Sequence, residues 1–294
     1  MFARVDLNKE KMMTIDFKNF FKLKQDEDKL GFVNIPLNTD VELYIDPLVL
    51  RNQKGAWFAE ANNLIVDFFE EVLLAIRNND DNRALYLLGR LREPNETHFG
   101  VSSNMPDGCG IGDEQALILL KKLKKSKAVA TGHLKDLSDC ELLIPGIGSD
   151  KISDIVTNII RGMLIEYTEE ECKRLQIPVQ ETRSGFFWSQ ETKQWIRRKA
   201  LLPHFHNKPV ILVPKNIVRK RTSSNYRNFY ERIIEALQDY HLTLNTSLVK
   251  VLKNGKRIVS KKSLKEIHKC NKDFIFTYVD ENPKFLEKYK RTRY

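Results

Sequence analysis

The most informative hydrophobic pattern in the chain lies between positions 142 and 178. After the run LLIPGIG, apolar residues recur at the spacing of a helix that is buried along one face. The members of this stripe are Ile152, Ile155, Val156, Ile159, Ile160, Met163 and Leu164. We therefore predict a helix over 150–166, with Ser149 as its N-cap residue.

Three other segments have patterns that are typical of helices. The segment 57–76 has a broad apolar face, and EQALILLKKLKK predicts an amphipathic helix over 113–125. Thr168 and Glu171 have the spacing of a capping box, so we expect a second short helix to begin there and to end before Pro178.

Strands are indicated by shorter apolar runs. FVNIPL and VELYI are predicted strands, and Asp46 stands at the end of the second, where Pro47 stops the ladder. PVILV, within 208–215, is continuous and β-branched, which is typical of a strand at the centre of a sheet. SGFFWSQETKQWI predicts a β-hairpin with its tip at 190–193.

Together these elements predict a mixed fold of the α/β or α+β class. We expect a central sheet that contains VELYI and PVILV and is covered by the amphipathic helices. The chain would divide into a mixed core over 1–180 and a hairpin, strand and basic helical region over 181–294, packed on that core. The basic C-terminal extension begins at about position 241.

The formal net charge of +10 favours an anionic partner, nucleic acid before a membrane surface. Solubility alone is a sufficient reason for a charge of this size. No apolar run approaches the roughly 20 residues of a membrane span, and the N-terminus lacks the apolar segment of a secretory signal. We therefore expect a cytoplasmic protein without a membrane partner. The four cysteines are too far apart for a zinc ribbon or a disulfide framework.

The polar face of the predicted central helix is the most site-like feature of the sequence. Asp150, Asp154, Asn158 and Arg161 follow one another at spacings of four, four and three, which keeps them on one side of a helix. Two carboxylates in such a row can hold Mg²⁺. The alternative is an ordinary solvated face, with the acidic residues placed there by the helix dipole.

A Gly-Ile-Gly turn occurs twice, each time before an acidic residue and a helix. The first copy, 110–112, precedes Glu114, and the second is 146–148. Such a turn exposes helix N–H groups to an anion such as phosphate. The structural alternative is that glycine is simply required by a tight turn. Neither copy is a P-loop, since no Gly-Lys-Ser or Gly-Lys-Thr follows.

The second copy resembles the helix-hairpin-helix motif, which binds the DNA backbone without sequence preference. The resemblance covers 142–156 and is carried by Leu142, Leu143, Pro145, Gly146, Ile147 and Gly148. It implies that the amides around Gly146 and Gly148 hold a phosphate, with Lys151 close by. Ile152 departs from the motif, which has a small residue at that position.

A basic and aromatic segment follows the strand predicted at 208–215. Arg219, Lys220, Arg221 and Tyr226 combine cations for phosphate with a ring that can stack on a base. A solvated loop is the alternative interpretation. Other motifs are less convincing, since His204 and His206 lack the further ligands of a zinc site.

The order IDPLVL, GIGDE, GIGSDKISDI and PVILVPK is similar to that of uncharacterised proteins of prokaryotic anti-phage and restriction-type gene clusters. The similarity extends over about 30–220. It implies a role in nucleic-acid processing, together with a protein partner from the same gene cluster. It supplies no catalytic residues.

The sequence supports three hypotheses about function. In the first, the protein is a Mg²⁺-dependent nuclease in which Asp150 and Asp154, joined by Asp46 or Glu114, hold the metal ion. Lys151 and Arg161 would then stabilise the phosphate of the substrate, and Lys151 counts with Asp150 and Asp154 as a catalytic residue. We favour DNA over RNA as this substrate. In the second, it is a non-catalytic nucleic-acid-binding subunit of a partner ATPase or nuclease. In the third, it is a metal-free structural subunit that binds an acidic protein.

Overall fold

Helices make up most of the protein. We analysed a computed structural model, which describes residues 14–100, 113–134, 136–220 and 226–291. The helices are α1 (Phe17–Phe20), α2 (Pro47–Asn52), α3 (Ala56–Arg77), α4 (Asp81–Leu88), α5 (Asp113–Lys125), α6 (Lys127–Ala130), α7 (Leu137–Leu143), α8 (Ser149–Leu175), α9 (Tyr226–Leu244), α10 (Lys261–Ile267), α11 (Lys272–Glu281) and α12 (Pro283–Arg291). The predicted helices at 57–76 and 113–125 are thus confirmed as α3 and α5.

The strands are short and pair in twos. The antiparallel pairs are β1 (Tyr44–Ile45) with β8 (Val218–Arg219), β2 (Gln180–Arg183) with β5 (Lys199–Leu202), β3 (Phe187–Ser189) with β4 (Gln194–Ile196), β6 (His204–Phe205) with β7 (Lys208–Pro209), and β9 (Lys250–Val251) with β10 (Arg257–Ile258). The fold is therefore mixed α+β. Within the described residues each sheet has two strands, so the expected central sheet is not formed there.

The centre of the protein is helix α8. It packs against α3, α7, β1, β3 and β5, and every residue from 155 to 165 is buried. The apolar stripe predicted from the sequence lies inside this core, as expected. The remaining faces of the helix are buried too, because strands and loops cover the sides that a surface helix would leave to water.

Helix α8 differs from the prediction at both ends. Gly148, not Ser149, is its N-cap residue. The helix also continues through Thr168, which sits in its interior and donates from Oγ1 to the carbonyl of Leu164 at 2.7 Å. The capping box predicted at Thr168 and Glu171 is therefore wrong, and a single helix extends to Leu175.

Polar side chains of α8 hold four separate segments of irregular backbone. The Ser153 hydroxyl accepts from the N–H of Ile45 at 3.0 Å. Asn158 and Arg161 donate to the carbonyls of Arg92 and Phe186, at 2.5 Å and 2.7 Å. The Thr168 hydroxyl accepts from the N–H of Leu212 at 2.9 Å. A buried backbone group that lacks a partner costs free energy, so these bonds decide where each segment can lie.

The run PVILV is buried but is not a central strand. Its members Val210–Val213 are extended, and their backbone groups bond to different partners. Val210 donates to Pro203 and Ile211 donates to Glu96, each at 2.8 Å, while Val33 donates to Val213 at 3.0 Å. A continuous apolar run predicts burial. Here the buried segment passes through the core and bonds to several separate segments, and it is not part of a sheet.

The segment VELYIDP also departs from the prediction. The strand has only the two residues of β1, and FVNIPL forms two isolated bridges, from Phe32 to Pro214 and from Pro36 to Asp16, instead of a strand. Asp46 is the N-cap residue of α2, since its Oδ1 accepts from the N–H groups of Leu48 and Val49 at 2.9 Å and 3.3 Å. Asp46 therefore has a structural role at this position, as a capping residue.

The predicted hairpin is confirmed as β3 and β4, in which Trp188 pairs with Trp195. Its Trp188 indole donates to Asp67 of α3 at 2.7 Å, and Lys193 at the tip forms an ion pair with the same carboxylate. A Cβ atom at Gly162 would lie 2.7 Å from the ring of Phe187, so glycine is needed there for β3 to approach α8.

The C-terminal region also packs on the core. Lys290 of α12 forms an ion pair with Asp136 at 2.8 Å, and one buried apolar cluster includes residues from Phe17 to Tyr289. The predicted helical extension after position 241 is confirmed as α10 to α12, with the β9–β10 hairpin before them. The division into 1–180 and 181–294 stays a prediction.

We predict that Thr168→Val destabilises the protein more than Thr157→Val. Both threonines are buried in α8 and donate to the carbonyl four residues earlier, but only Thr168 also accepts from another segment, at Leu212. Leaving that buried N–H without a partner should cost about 1–3 kcal/mol. Thermal unfolding of both variants tests this, and equal losses would show that Thr168 does not anchor the segment.

Candidate functional site

The N-terminal part of α8 follows directly on a short helix and a tight turn. Helix α7 begins with a capping box made by Asp136 and Asp139, and the turn then needs the left-handed conformation of Gly146, at φ +74°. No side chain caps the N-terminus of α8, since the Ser149 hydroxyl donates to Glu141 at 2.8 Å instead. Two helices thus flank the turn, while the helix-hairpin-helix resemblance and DNA binding there stay predictions.

The polar face of α8 becomes more buried along its length. Asp150 and Lys151 are exposed, Asp154 is half-buried, and Asn158 and Arg161 are buried. This gradient arises because residues 92–96, after α4, cover the second and third turns of α8. The backbone of this segment accepts from Asn158, and its Glu96 lies 3.5 Å from Arg161.

Arg161 is therefore not where the sequence analysis placed it. Its side chain is only 4% exposed and is held between the carbonyl of Phe186 and the carboxylate of Glu96. A phosphate on the protein surface cannot reach it in this conformation. The helical spacing was correct, but the face on which Arg161 lies turns into the core.

Carboxylates from three segments lie close enough to influence one another. Burial, followed by the charges of Asp150 and Glu93, raises the pKa of Asp154 to about 8, while the charge of Lys151 lowers it. Burial also raises the pKa of Asp40 to about 6, with Glu93 contributing again. Glu93 thus links the other carboxylates, and we call Asp40, Glu93, Asp150 and Asp154 the carboxylate cluster.

The carboxylate cluster lacks the cations that usually accompany buried acids. Among the residues that the structure describes, none of its four members forms an ion pair with lysine or arginine within 4.0 Å. Loss of hydration disfavours the charged form of a carboxylate, and this is the largest cause of the high pKa of Asp154. The cluster is therefore the strongest candidate site on electrostatic grounds.

Two neighbouring polar atoms are buried without a hydrogen-bond partner. One is Oδ1 of Asn158, one helical turn from Asp154, and the other is Nδ1 of His98. Burial lowers the pKa of His98, whose ring is bonded to the backbone of Thr39 next to Asp40. A neutral imidazole and an amide oxygen are both potential metal ligands. Within the described residues, however, no three His, Cys, Asp or Glu side chains already meet as a metal site.

The other two predicted metal ligands are not shown to join this cluster. Asp46 caps α2, and Glu114 is exposed in the first turn of α5. Neither is among the charges that act on Asp154. The helical spacing of Asp150 and Asp154 pointed to these two residues, but no pattern in the sequence pointed to Glu93 and Asp40, which come from separate segments.

The turn between α7 and α8 is surrounded by lysines. Lys272 of α11 donates to the carbonyls of Ile144 and Ile147, each at 2.7 Å, and burial lowers its pKa to about 8. A Cβ atom at Gly146 would lie 2.5 Å from the ammonium of Lys122. A cavity of about 360 Å³ opens beside the turn, lined by Lys122, Lys125, Lys127, Pro145 and residues of α11.

The predicted basic and aromatic segment lies near both sites. The Tyr226 ring is 5.4 Å from the ammonium of Lys272, so it lies close to the turn. Arg219 and Lys220 are exposed, and Arg219 pairs in register with Tyr44. Burial, Glu42 and then Asp150 raise the pKa of that tyrosine. Arg221 lies outside the described residues.

Comparisons with known proteins give one match. A family model described as a domain of unknown function, DUF8370, matches residues 22–225. The match includes the whole carboxylate cluster and the turn before α8, and it ends before α9. No curated protein and no solved structure matches significantly. None of the helices described here is long and apolar enough to cross a membrane.

We predict that Asp154→Asn stabilises the protein increasingly as the pH rises. The folded state keeps a proton on Asp154 up to about pH 8, whereas the unfolded chain releases it near the ordinary value of 3.8. The wild type therefore loses stability between these values, and the asparagine variant does not. At pH 8.5 its Tm should be higher by about 2–4 °C, the shift expected for roughly 1 kcal/mol.

The measurement is thermal unfolding at pH 5, 6.5 and 8.5 without divalent cations. Glu70→Gln removes an exposed carboxylate of α3 and serves as the control. A difference between Asp154→Asn and the wild type that does not grow with pH would contradict the charge repulsion described above.

Proposed function

The chain belongs to the DUF8370 family, and we propose that this member is a divalent-metal-dependent phosphodiesterase that acts on nucleic acid. The observation that supports the proposal is the carboxylate of Asp154, which is half-buried beside Asp150 and Glu93 without an ion-pair partner in the described part of the chain. A role in anti-phage defence, with a protein partner from the same gene cluster, rests on the order of the sequence motifs.

The donor atoms suit a hard cation such as Mg²⁺ or Mn²⁺, which prefers carboxylate and amide oxygens. Asp154, Asp150 and Glu93 would hold it, with Asp40 and the unpartnered amide oxygen of Asn158 nearby. Asp150 and Glu93 are exposed, so their side chains can rotate towards Asp154. The chemistry that a bound cation supplies is activation of water and neutralisation of charge at phosphorus.

Residues of the chain itself would bind and orient the phosphate. Lys151 is exposed in the first turn of α8, next to Asp150. The N-terminus of α8 has a glycine N-cap and no capping side chain, and its N–H groups favour an anion. Asp150, Asp154 and these donors lie within the first two turns of one helix, which fixes their relative positions.

We expect the wild type to cut nucleic acid only with Mg²⁺ or Mn²⁺, and Asp154→Asn to lose this activity. The loss should be about 100-fold or more, beyond the roughly 10–100-fold that the partners of metal ligands typically cost. The assay uses plasmid, linear DNA and RNA, with Mg²⁺, Mn²⁺ or EDTA, and Glu70→Gln as the control.

Metal binding gives a second readout that does not depend on activity. Calorimetry with Mn²⁺ should show an affinity that rises with pH up to about 8, where Asp154 loses its proton. Metal-dependent cutting that survives Asp154→Asn would refute this site. Absence of both cutting and Mn²⁺ binding in the wild type would refute the proposed function.

The lysine-lined turn favours a second candidate function, a nucleic-acid-binding subunit without catalysis. Lys122, Lys125 and Lys127 line the cavity beside Pro145 and the glycine turn. Lysine clusters of this kind bind phosphates through charge, without reading sequence. In this alternative, the negative charge of Asp150 stabilises the N-terminus of α8 by its interaction with the helix dipole, and the carboxylate cluster holds no metal.

We predict that changing Lys122, Lys125 and Lys127 together to glutamine weakens nucleic-acid binding and lowers the slope of log K against log salt by about 3, one for each phosphate contact. Lys124→Gln is the matched control. Lys124 lies on α5, as Lys122 and Lys125 do, but it is paired with Asp81 of α4 at 2.7 Å. Binding that is unchanged in the triple variant would exclude the turn as a contact surface.

A further inference from the structure

Two arginines contact the ring of one phenylalanine, and two more lie near one of these two. The guanidinium carbon of Arg197 lies 3.7 Å from the ring centroid of Phe186, and that of Arg90 lies 4.4 Å from it. Arg183 and Arg92 are close enough to Arg197 to act on its charge. We call Arg90, Arg92, Arg183 and Arg197 the arginine cluster.

The arginine cluster is assembled from distant parts of the chain. Arg90 and Arg92 follow α4, Arg183 ends β2, and Arg197 connects β4 to β5. Phe186 is fixed because its carbonyl accepts from the buried Arg161 of α8 at 2.7 Å. Contacts of guanidinium groups with an aromatic ring restrict their movement, so two of the four groups are held in place before any ligand arrives.

The positive charges in this cluster are not neutralised by the protein. Burial lowers the pKa of Arg197, as do the charges of Arg183, Arg90 and Arg92. None of the four forms an ion pair with a carboxylate among the described residues, whereas the adjacent Arg198 is paired with Glu169 at 2.9 Å. The remaining repulsion would be relieved by a ligand with several negative charges.

The cluster adjoins the carboxylates. Arg92 precedes Glu93 in the chain, and the carbonyl of Arg92 accepts from Asn158, one turn of α8 beyond Asp154. The two clusters therefore share the short segment that contains Arg92 and Glu93. Guanidinium groups suit phosphate ligands because each can donate two parallel hydrogen bonds to one phosphate.

We propose that the arginine cluster binds the phosphodiester backbone of the nucleic acid beside the carboxylate cluster. This proposal rests on the proposed function, because it identifies the substrate surface of the same site. Several guanidinium groups suit successive phosphates of a strand better than a single small anion. Binding should be independent of base sequence, since the cluster offers charges and no base-reading groups.

Fluorescence anisotropy in EDTA, with labelled single-stranded DNA, duplex DNA and RNA, tests the proposal without requiring catalysis. The double variant Arg183→Gln, Arg197→Gln should bind about tenfold more weakly at low salt, with the slope of log K against log salt lower by about 2. The control is Arg174→Gln, Arg232→Gln, which removes two exposed arginines that are paired with Glu171 and Glu235.

The variant Arg183→Lys, Arg197→Lys keeps the charges and should recover part of the affinity, and circular dichroism checks that each variant is folded. Equal losses in the control, no loss in the double variant, or no nucleic-acid binding by the wild type would overturn the proposal. Binding that depends on the arginines in a protein that does not cut would support the cluster while refuting the phosphodiesterase. Metal-dependent cutting that Asp154→Asn abolishes and the arginine variants leave unchanged would do the reverse.

Discussion

The burial of the middle of helix α8 on all its sides is the constraint on which the rest of the structure depends. Every residue from 155 to 165 is inside the protein, including side chains that need hydrogen bonds. Ser153, Asn158, Arg161 and Thr168 each bond to the backbone of another segment, although Oδ1 of Asn158 and Nε of Arg161 stay without a partner. Each such bond gives a partner to a buried polar group, which would otherwise lower the stability of the fold by about 1–3 kcal/mol. The helix thus organises the loops in the way that a central sheet usually organises an α/β protein.

The periodicity of the sequence predicted the helices well, because apolar residues at helical spacing over several turns rarely occur outside a helix that is buried on one face. The same reasoning failed for PVILV, since an apolar run indicates burial and does not show whether the backbone pairs with a neighbouring strand. In the protein, Ile211 donates to Glu96 and Leu212 donates to Thr168. These partners lie far away in sequence, and no local pattern points to them. The capping box at Thr168 failed for the same reason, since that hydroxyl is used inside a continuous helix.

For the candidate site, the sequence could supply only the residues that share one element. Asp150 and Asp154 lie on one face of α8, as their spacing predicted, and the structure adds Glu93 and Asp40 from other segments. The arginine cluster has four members on three segments, so no spacing rule would have found it. Arg161 shows the opposite error: it has the expected helical position, but its side of the helix faces the core.

The relation between the two clusters carries the functional argument one step further. Acidic and basic side chains adjoin along 90–93, yet the members of the two clusters form no ion pairs in the described part of the chain. Where charges on a surface only stabilise the fold, neighbouring residues of opposite charge can form ion pairs. Arg198 and Glu169 form such a pair. Here neither cluster forms ion pairs within the described residues, although the charge of Lys151 lowers the pKa of Asp154. Cations at the carboxylates and phosphates at the arginines would neutralise both clusters at once, and a metal ion with a phosphodiester supplies that pair.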